Sequence, residues 1–322
     1  METSSLEHQN DPTHPRWPDG SRSSCAVRSG LTRVNAPAGA GMMVAMASLA
    51  SGLAACRRPT APLGGGAARA AARVAEQDAE HEVILAAGPL DAPIPALGPM
   101  GGLTVRTTGE RAQPRQVVVL LHGWGASGED LVPLGEALAA PGRLLVFPEA
   151  PLAGPWGGRA WWHLDLVALE AARASGQDRD LRATVPVGLP AARASILALL
   201  DELEQRTRLP RSAMILGGFS QGAMLAVDAA LASQPHPGAL VVLSGTLVAE
   251  AEWTAALAAA RPPIPVFMSH GRVDPVLPFR LAEALRERVA AAGHPVTWVP
   301  FGGGHEIPRA VLAALASFLP RP

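Results

Sequence analysis

The chain has 322 residues, 48% of them hydrophobic, with a formal net charge of -1 at pH 7. That is enough apolar material for one sizeable core, and no basic surplus exists to hold nucleic acid. All 27 basic residues are arginine, so a nucleotide-binding Walker lysine, a Schiff-base lysine and a Ser–Lys dyad are all excluded.

Residues 1–41 are rich in Pro, Ser, Asn and Gly and follow neither a 3.6- nor a 2-residue period, so they read as disordered. "MMVAMASLASGLAACRRP" (42–59) is an apolar, Ala-rich run that follows Arg28 and Arg33 and ends in small residues, too short to cross a bilayer comfortably. Two readings stand. One is an export signal over 42–56 whose Leu53-Ala54-Ala55-Cys56 resembles a bacterial lipobox, with Cys56 as a membrane anchor. The other is an Ala-rich disordered leader. The first implies an exported, lipid-anchored protein and the second the bacterial cytoplasm. Residues 57–80 read as a low-complexity linker, which places a single folded domain at 81–322.

From His81 onward strand-like runs alternate with helix-like ones. Strands are expected at 82–87, 103–108, 116–123, 143–150, 213–219, 239–245, 264–271 and 296–301. Helices are expected at 129–140, 191–207, 221–233, near 249–260, at 280–293 and near 306–318. Short, continuously apolar strands separated by helices predict an α/β domain, a mostly parallel doubly wound sheet with helices on both faces. Ligands of such sheets bind beyond the carboxyl ends of the strands, so functional residues should follow strands.

Gly218-Phe219-Ser220-Gln221-Gly222 lies between the strand "AMILGGF" and the helix "QGAMLAVDAALAS". A chance G-x-S-x-G occurs in roughly one chain in six of this glycine and serine content, so the pentapeptide is weak by itself. Its position is the stronger signal, because a nucleophile elbow is a strand-to-helix turn. A serine hydroxyl needs a base to take its proton and a carboxylate to orient that base. Asp274 follows one strand in "HGRVDP" and His305 follows another in "GGGHE". His122 and His270 each precede a glycine at a strand end, where a structural ring is the better reading. Glu306 adjoins His305 too closely in sequence to orient it. An oxyanion needs two backbone donors: the amide of Gln221 is one, and the turn His122-Gly123-Trp124-Gly125 offers that of Trp124, although a simple turn would also explain its glycines.

Trp156, Trp161 and Trp162 cluster in the loop 151–166. They either wall an acyl pocket or pack as an apolar loop on the sheet. Arg159 in the same loop meets an anionic substrate or forms an ion pair. The two cysteines, Cys25 and Cys56, both precede the domain, so no disulfide and no cysteine nucleophile is expected within it. No zinc-ligand spacing is present and no cofactor is expected.

Together, "LLHGWGASGEDLVPL", "FPEAP", "GGRAWW", "GGFSQGAMLA", "LSGTL", "SHGRVDPVLP" and "GGGHEI" resemble the carboxylesterase/phospholipase family of α/β-hydrolases, which includes acyl-protein thioesterases. The resemblance spans about residues 83–320. It implies Ser220 as nucleophile, Asp274 as acid, His305 as base, the amides of Trp124 and Gln221 as the oxyanion hole, and a small ester or acyl substrate. Thioesterase members of the family usually carry leucine where Trp124 stands. The expected function is therefore a serine hydrolase of carboxylic esters, with thioesters and lysophospholipids open to the same machinery. The alternative is a non-catalytic exported lipoprotein that binds a ligand on this scaffold.

Overall fold

The computed structural model describes residues 93–322, except 166, 168–170, 172, 173 and 176–179. The leader, the 42–56 run with Cys56, the linker, the expected domain start at His81 and the expected strand at 82–87 lie outside the described residues.

Eight strands form one sheet. β1 (Leu97–Met100), β2 (Leu103–Gly109), β3 (Gln116–Leu121), β4 (Arg143–Pro148), β7 (Met214–Phe219), β8 (Ala239–Leu243), β9 (Val266–Gly271) and β10 (Val296–Phe301) are arranged in the order β1-β2-β4-β3-β7-β8-β9-β10. From β4 to β10 every neighbouring pair is parallel. β2 joins β4 antiparallel and β1 joins β2 antiparallel. β1 is absent from the sequence expectation because "LGPM" carries glycine and proline, residues disfavoured in strands; its edge position tolerates them.

Every residue of β3, β4, β7, β8 and β9 is buried, which is why these segments read as unbroken apolar runs rather than alternating ones. The two-residue period still divides them. Val117, Val119 and Leu121 enter one core with α2 (Leu189–Thr207), α3 (Gln221–Ala232), α4 (Glu250–Ala259) and α5 (Phe279–Ala291). Val118 and Leu120 enter a second core with α1 (Val132–Ala137) and α6 (Arg309–Phe318).

In α2 the buried residues Leu189, Ala192, Ile196, Leu199 and Leu203 recur at three- and four-residue steps, the stripe of a helix lying on a sheet. α3 is different: all of its residues from Gln221 to Leu231 are buried. Its one charged side chain, Asp228, accepts the Trp253 indole N–H at 2.9 Å and pairs with Arg193 at 3.3 Å. α1 is shorter than the 129–140 expected, because Pro133 sits in its first turn and the segment before it is turn rather than helix. Gly135 allows α1 to lie directly on Phe147: a Cβ there would stand 2.3 Å from the ring.

A small hairpin completes the carboxyl edge. β5 (Leu152–Ala153) and β6 (Arg159–Ala160) pair antiparallel around a 3₁₀ turn at Pro155–Gly157. Two-residue strands carry too little periodicity to be read from sequence, and this segment is expected above only as loop.

Candidate active site

The site is built where β3, β7, β9 and β10 end. At the end of β7 the chain turns sharply into α3, and Ser220 takes φ 55 and ψ -118, a backbone that side-chain-bearing residues seldom adopt. Such strain costs about 1–3 kcal/mol and persists only where the surroundings over-determine it. The Ser220 N–H donates to Leu243 O at 2.9 Å, and its carbonyl accepts the N–H groups of Ala223 and Met224. The flanking glycines have a steric cause. A Cβ on Gly222 would stand 2.2 Å from Leu121 O, and one on Gly218 2.5 Å from the Gly222 carbonyl carbon. The turn closes only with hydrogen at both positions.

The loops after β9 and β10 are laced together. Arg272 N–H donates to Phe301 O at 2.8 Å and Val273 N–H to Gly303 O at 3.2 Å, while a Cβ on Gly271 would stand 2.1 Å from Gly304 O. This contact carries Asp274 and His305, 31 residues apart, to one point. His305 Nδ1 lies 2.7 Å from Asp274 Oδ2, and His305 Nε2 lies 2.9 Å from Ser220 Oγ. The imidazole is partly exposed and its other face meets the Phe219 ring at 4.8 Å between centroids.

The Asp274 side chain is fully buried. Burial alone would raise its pKa. The hydrogen bond and charge of His305, with the N–H groups of Leu277 and Val276, outweigh burial and hold the carboxyl below the usual carboxylate range. Oδ1 accepts those two N–H groups at 2.9 and 2.8 Å. Oδ2 serves His305 and also lies 3.3 Å from Nε2 of the buried His270. Asp274 is therefore an anion with both oxygens occupied, and His305 Nδ1 is fixed as the donor to it.

The rings of His122 and His270 are buried and hydrogen-bonded to backbone. His122 Nδ1 donates to Gly123 O at 2.8 Å, and its Nε2 accepts the Ala150 N–H at 3.1 Å. His270 Nε2 donates to Leu277 O at 2.9 Å. Burial pushes both below the ordinary histidine value, so both are neutral near pH 7. Glu306 is exposed.

The turn after β3 comes alongside the serine: a Cβ on Gly123 would lie 3.4 Å from Ser220 Cβ. Trp124 follows this glycine, and Gln221 follows Ser220 at the first position of α3. The first helical hydrogen bonds of α3 are those of the Ala223 and Met224 N–H groups to Ser220 O, so the N–H groups of Gln221 and Gly222, ahead of them, have no intrahelical acceptor.

The three loop tryptophans do not form one wall. Trp161 and Trp162 are buried in the first core, 1% and 3% exposed, whereas Trp156 is 65% exposed. Trp156 adopts φ 54 and meets Trp124 edge-on at 5.9 Å. Arg159 pairs with Glu149 at 3.4 Å and donates to the carbonyls of Ala150 and Pro151. The Gln221 side chain, singled out above only for its amide, accepts the Trp161 N–H at 3.0 Å and donates to Trp162 O at 2.8 Å. No local pattern announces that contact, because it joins residues about 60 apart in sequence. Among the described residues no cluster of His, Cys, Asp and Glu suits a metal ion, and no helix is long and apolar enough to cross a membrane.

A mostly parallel sheet with helices on both faces and a strained strand-to-helix turn defines the α/β-hydrolase fold. The comparisons agree. The chain belongs to the phospholipase/carboxylesterase family, whose family model matches residues 104–321. It is 24% identical to acyl-protein thioesterase 1 of Neurospora crassa over 65% of this chain and 87% of that one. It is 27% identical to a probable carboxylesterase of Oryza sativa over 65% of this chain and 78% of the other. The crystal structure of esterase PE8 superposes with a TM-score of 0.57 at 29% identity, covering 67% of this chain and 97% of that one. For fold alone, acyl-protein thioesterase 2 of Zea mays superposes with a TM-score of 0.52 at 21% identity, covering 66% and 96%. The protein is a hydrolase of this family.

Proposed function

We propose that the protein cleaves small carboxylic esters through a covalent acyl-enzyme, with Ser220 as nucleophile, His305 as general base and acid, and Asp274 as the anion that orients and supports His305. The observation that carries the proposal is the unbroken chain of short contacts from Ser220 Oγ through both nitrogens of His305 to Asp274 Oδ2. His305 Nε2 takes the Ser220 proton as Oγ attacks the acyl carbon. The tetrahedral oxyanion receives the N–H groups of Trp124 and Gln221, each such donor contributing about 3–4 kcal/mol to the transition state. His305 then gives the proton to the leaving alcohol, which departs with its electron pair. Water, deprotonated by the same nitrogen, releases the carboxylic acid and restores Ser220.

A thioester or lysophospholipid would follow the same course, since only the leaving group changes. The thioesterase and carboxylesterase relatives support this substrate class. Trp156, edge-on to Trp124 and open to solvent, is the aromatic surface offered to the substrate chain. Trp161 and Trp162 are buried in the core and are not part of that exposed surface. Nothing in the family or its relatives favours a purely ligand-binding lipoprotein, and anchoring through Cys56 is a separate proposal, tested by whether membrane association is lost in Cys56→Ser.

The decisive experiment is hydrolysis of p-nitrophenyl esters from acetate to palmitate by the full chain and by Ser220→Ala. Turnover by the parent with loss of at least a thousandfold in the variant supports the proposal. Equal rates in the two proteins would overturn it.

A further inference from the structure

Given the oxyanion hole read above, we infer that the Gln221 carboxamide is a positioning residue: its side chain ties together the two loops that supply the donors and so sets the distance between them. One donor is Gln221's own backbone N–H, held by α3. The other belongs to Trp124, in a turn with no regular structure of its own, and the question is what holds that turn.

The answer is the segment 159–162. The Gly125 N–H donates to Arg159 O at 2.8 Å and the Arg159 N–H to Ala126 O at 2.8 Å, a two-bond ladder on the far side of Trp124. On the near side, the Trp161 indole N–H donates to His122 O at 2.9 Å, and the two rings lie 5.3 Å apart. Trp124 is thus bracketed by contacts from one short strap. The ladder needs glycine on both sides: Gly125 has φ +80, and a Cβ on Gly158 would stand 1.9 Å from Gly125 O.

The strap in turn is fastened to the start of α3 by Gln221, whose carboxamide meets the backbone of 161–162 as another strand would, accepting one N–H and donating to one carbonyl. The side chain is 2% exposed, so water does not replace either bond if it is lost. The side chains closest to glutamine in size do not reproduce both bonds. Asparagine is one methylene short, glutamate has no N–H for Trp162 O, and leucine or methionine fills the space with neither partner. The amide of one donor therefore reaches the other through its own side chain, the strap and the β3 turn. Donors aimed where charge develops lose much of their effect when displaced by about 1 Å, which costs as much as a hundredfold in rate.

Gln221→Met and Trp161→Phe test this in the full-length protein, with circular dichroism to confirm folding and rates referred to folded enzyme. The expected result is a fall in kcat of roughly 10- to 100-fold at nearly constant KM in Gln221→Met. Trp161→Phe, which removes the indole donor to His122 O together with part of the buried ring, should fall in the same direction. An aryl boronic acid, a mimic of the tetrahedral intermediate, should weaken in proportion to kcat. The double variant should lose less than the product of the two single losses, because both cut one chain of contacts. A merely structural role would lower thermal stability and leave kcat and boronate affinity intact. A folded Gln221→Met with kcat within twofold of the parent overturns the inference, and if that variant does not fold, the same outcome in Trp161→Phe does. If Ser220→Ala is inert while both variants keep full kcat, this inference alone fails. If Ser220→Ala is fully active, the proposed mechanism fails with it.

Discussion

Replacing Asp274 by asparagine changes one atom, and the structure dictates where that atom goes. Oδ1 accepts two backbone N–H groups, from Val276 at 2.8 Å and Leu277 at 2.9 Å. The amide oxygen of asparagine must take that place, since an NH₂ there would face two donors, at about 1–3 kcal/mol for each unsatisfied buried group. The NH₂ then occupies the Oδ2 position and points its hydrogen at His305 Nδ1, 2.7 Å away. His305 can meet a donor only by making Nδ1 the acceptor, which puts its proton on Nε2. The ring nitrogen 2.9 Å from Ser220 Oγ would then already carry a hydrogen and could not take the serine proton. In serine proteases the equivalent change costs about 10⁴ in kcat, or about 5.5 kcal/mol of barrier at 1.36 kcal/mol per tenfold. We expect Asp274→Asn to lose about four orders of magnitude in kcat on a short-chain p-nitrophenyl ester at neutral pH. Its circular dichroism should be unchanged, because the side chain keeps its shape and two of its bonds. A variant that retains more than about a tenth of the parent kcat would refute the tautomer reasoning.

Gly222→Ala places a methyl 2.2 Å from Leu121 O and 2.5 Å from His122 O; overpacking of this kind costs about 1–3 kcal/mol, so a thermal melt should fall by about 2–12 °C, together with loss of esterase activity. Trp156→Gly removes an exposed ring from a φ 54 backbone, so urea unfolding should stay within about 1 kcal/mol of the parent while the chain-length optimum of the ester series shifts; an unmoved optimum would remove Trp156 from the substrate surface. The buried rings of His122 and His270 stay neutral in the fold but take up a proton in the unfolded chain below about pH 6.5. With folded values depressed, their full stability is present above that pH and is lost as pH falls, at about 1.4 kcal/mol per pH unit for each ring. Burial holds the Asp228 carboxyl above its usual value, which is a dependence of the opposite sign. Urea midpoints at pH 7.5, 6 and 5 should fall in that order, and a flat series would contradict neutral buried rings.

Much of the molecule is written in local order along the chain. The apolar runs at 116–121, 214–219 and 239–243 are strands because they are buried on both faces, and the three- and four-residue steps of Leu189 to Leu203 make a helix whatever it packs against. The elbow is legible for a similar reason: glycines at 218 and 222 are demanded by contacts within one strand-turn-helix unit and with the strand beside it, and Asp274 and His305 can be picked out because they follow strands. Tertiary structure decided what no window of sequence contains. Sheet order placed β9 beside β10 and so brought Asp274 within 2.7 Å of His305. The same long-range packing put Trp161 and Trp162 in the core and left Trp156 exposed, although all three read alike as loop tryptophans. It also gave the Gln221 side chain its partners in the 161–162 backbone. Periodicity is a record of burial, and burial is shared by every residue on a face. A hydrogen bond between residues 60 or 85 positions apart is set by the register of strands neither residue belongs to, and only the assembled sheet supplies that register.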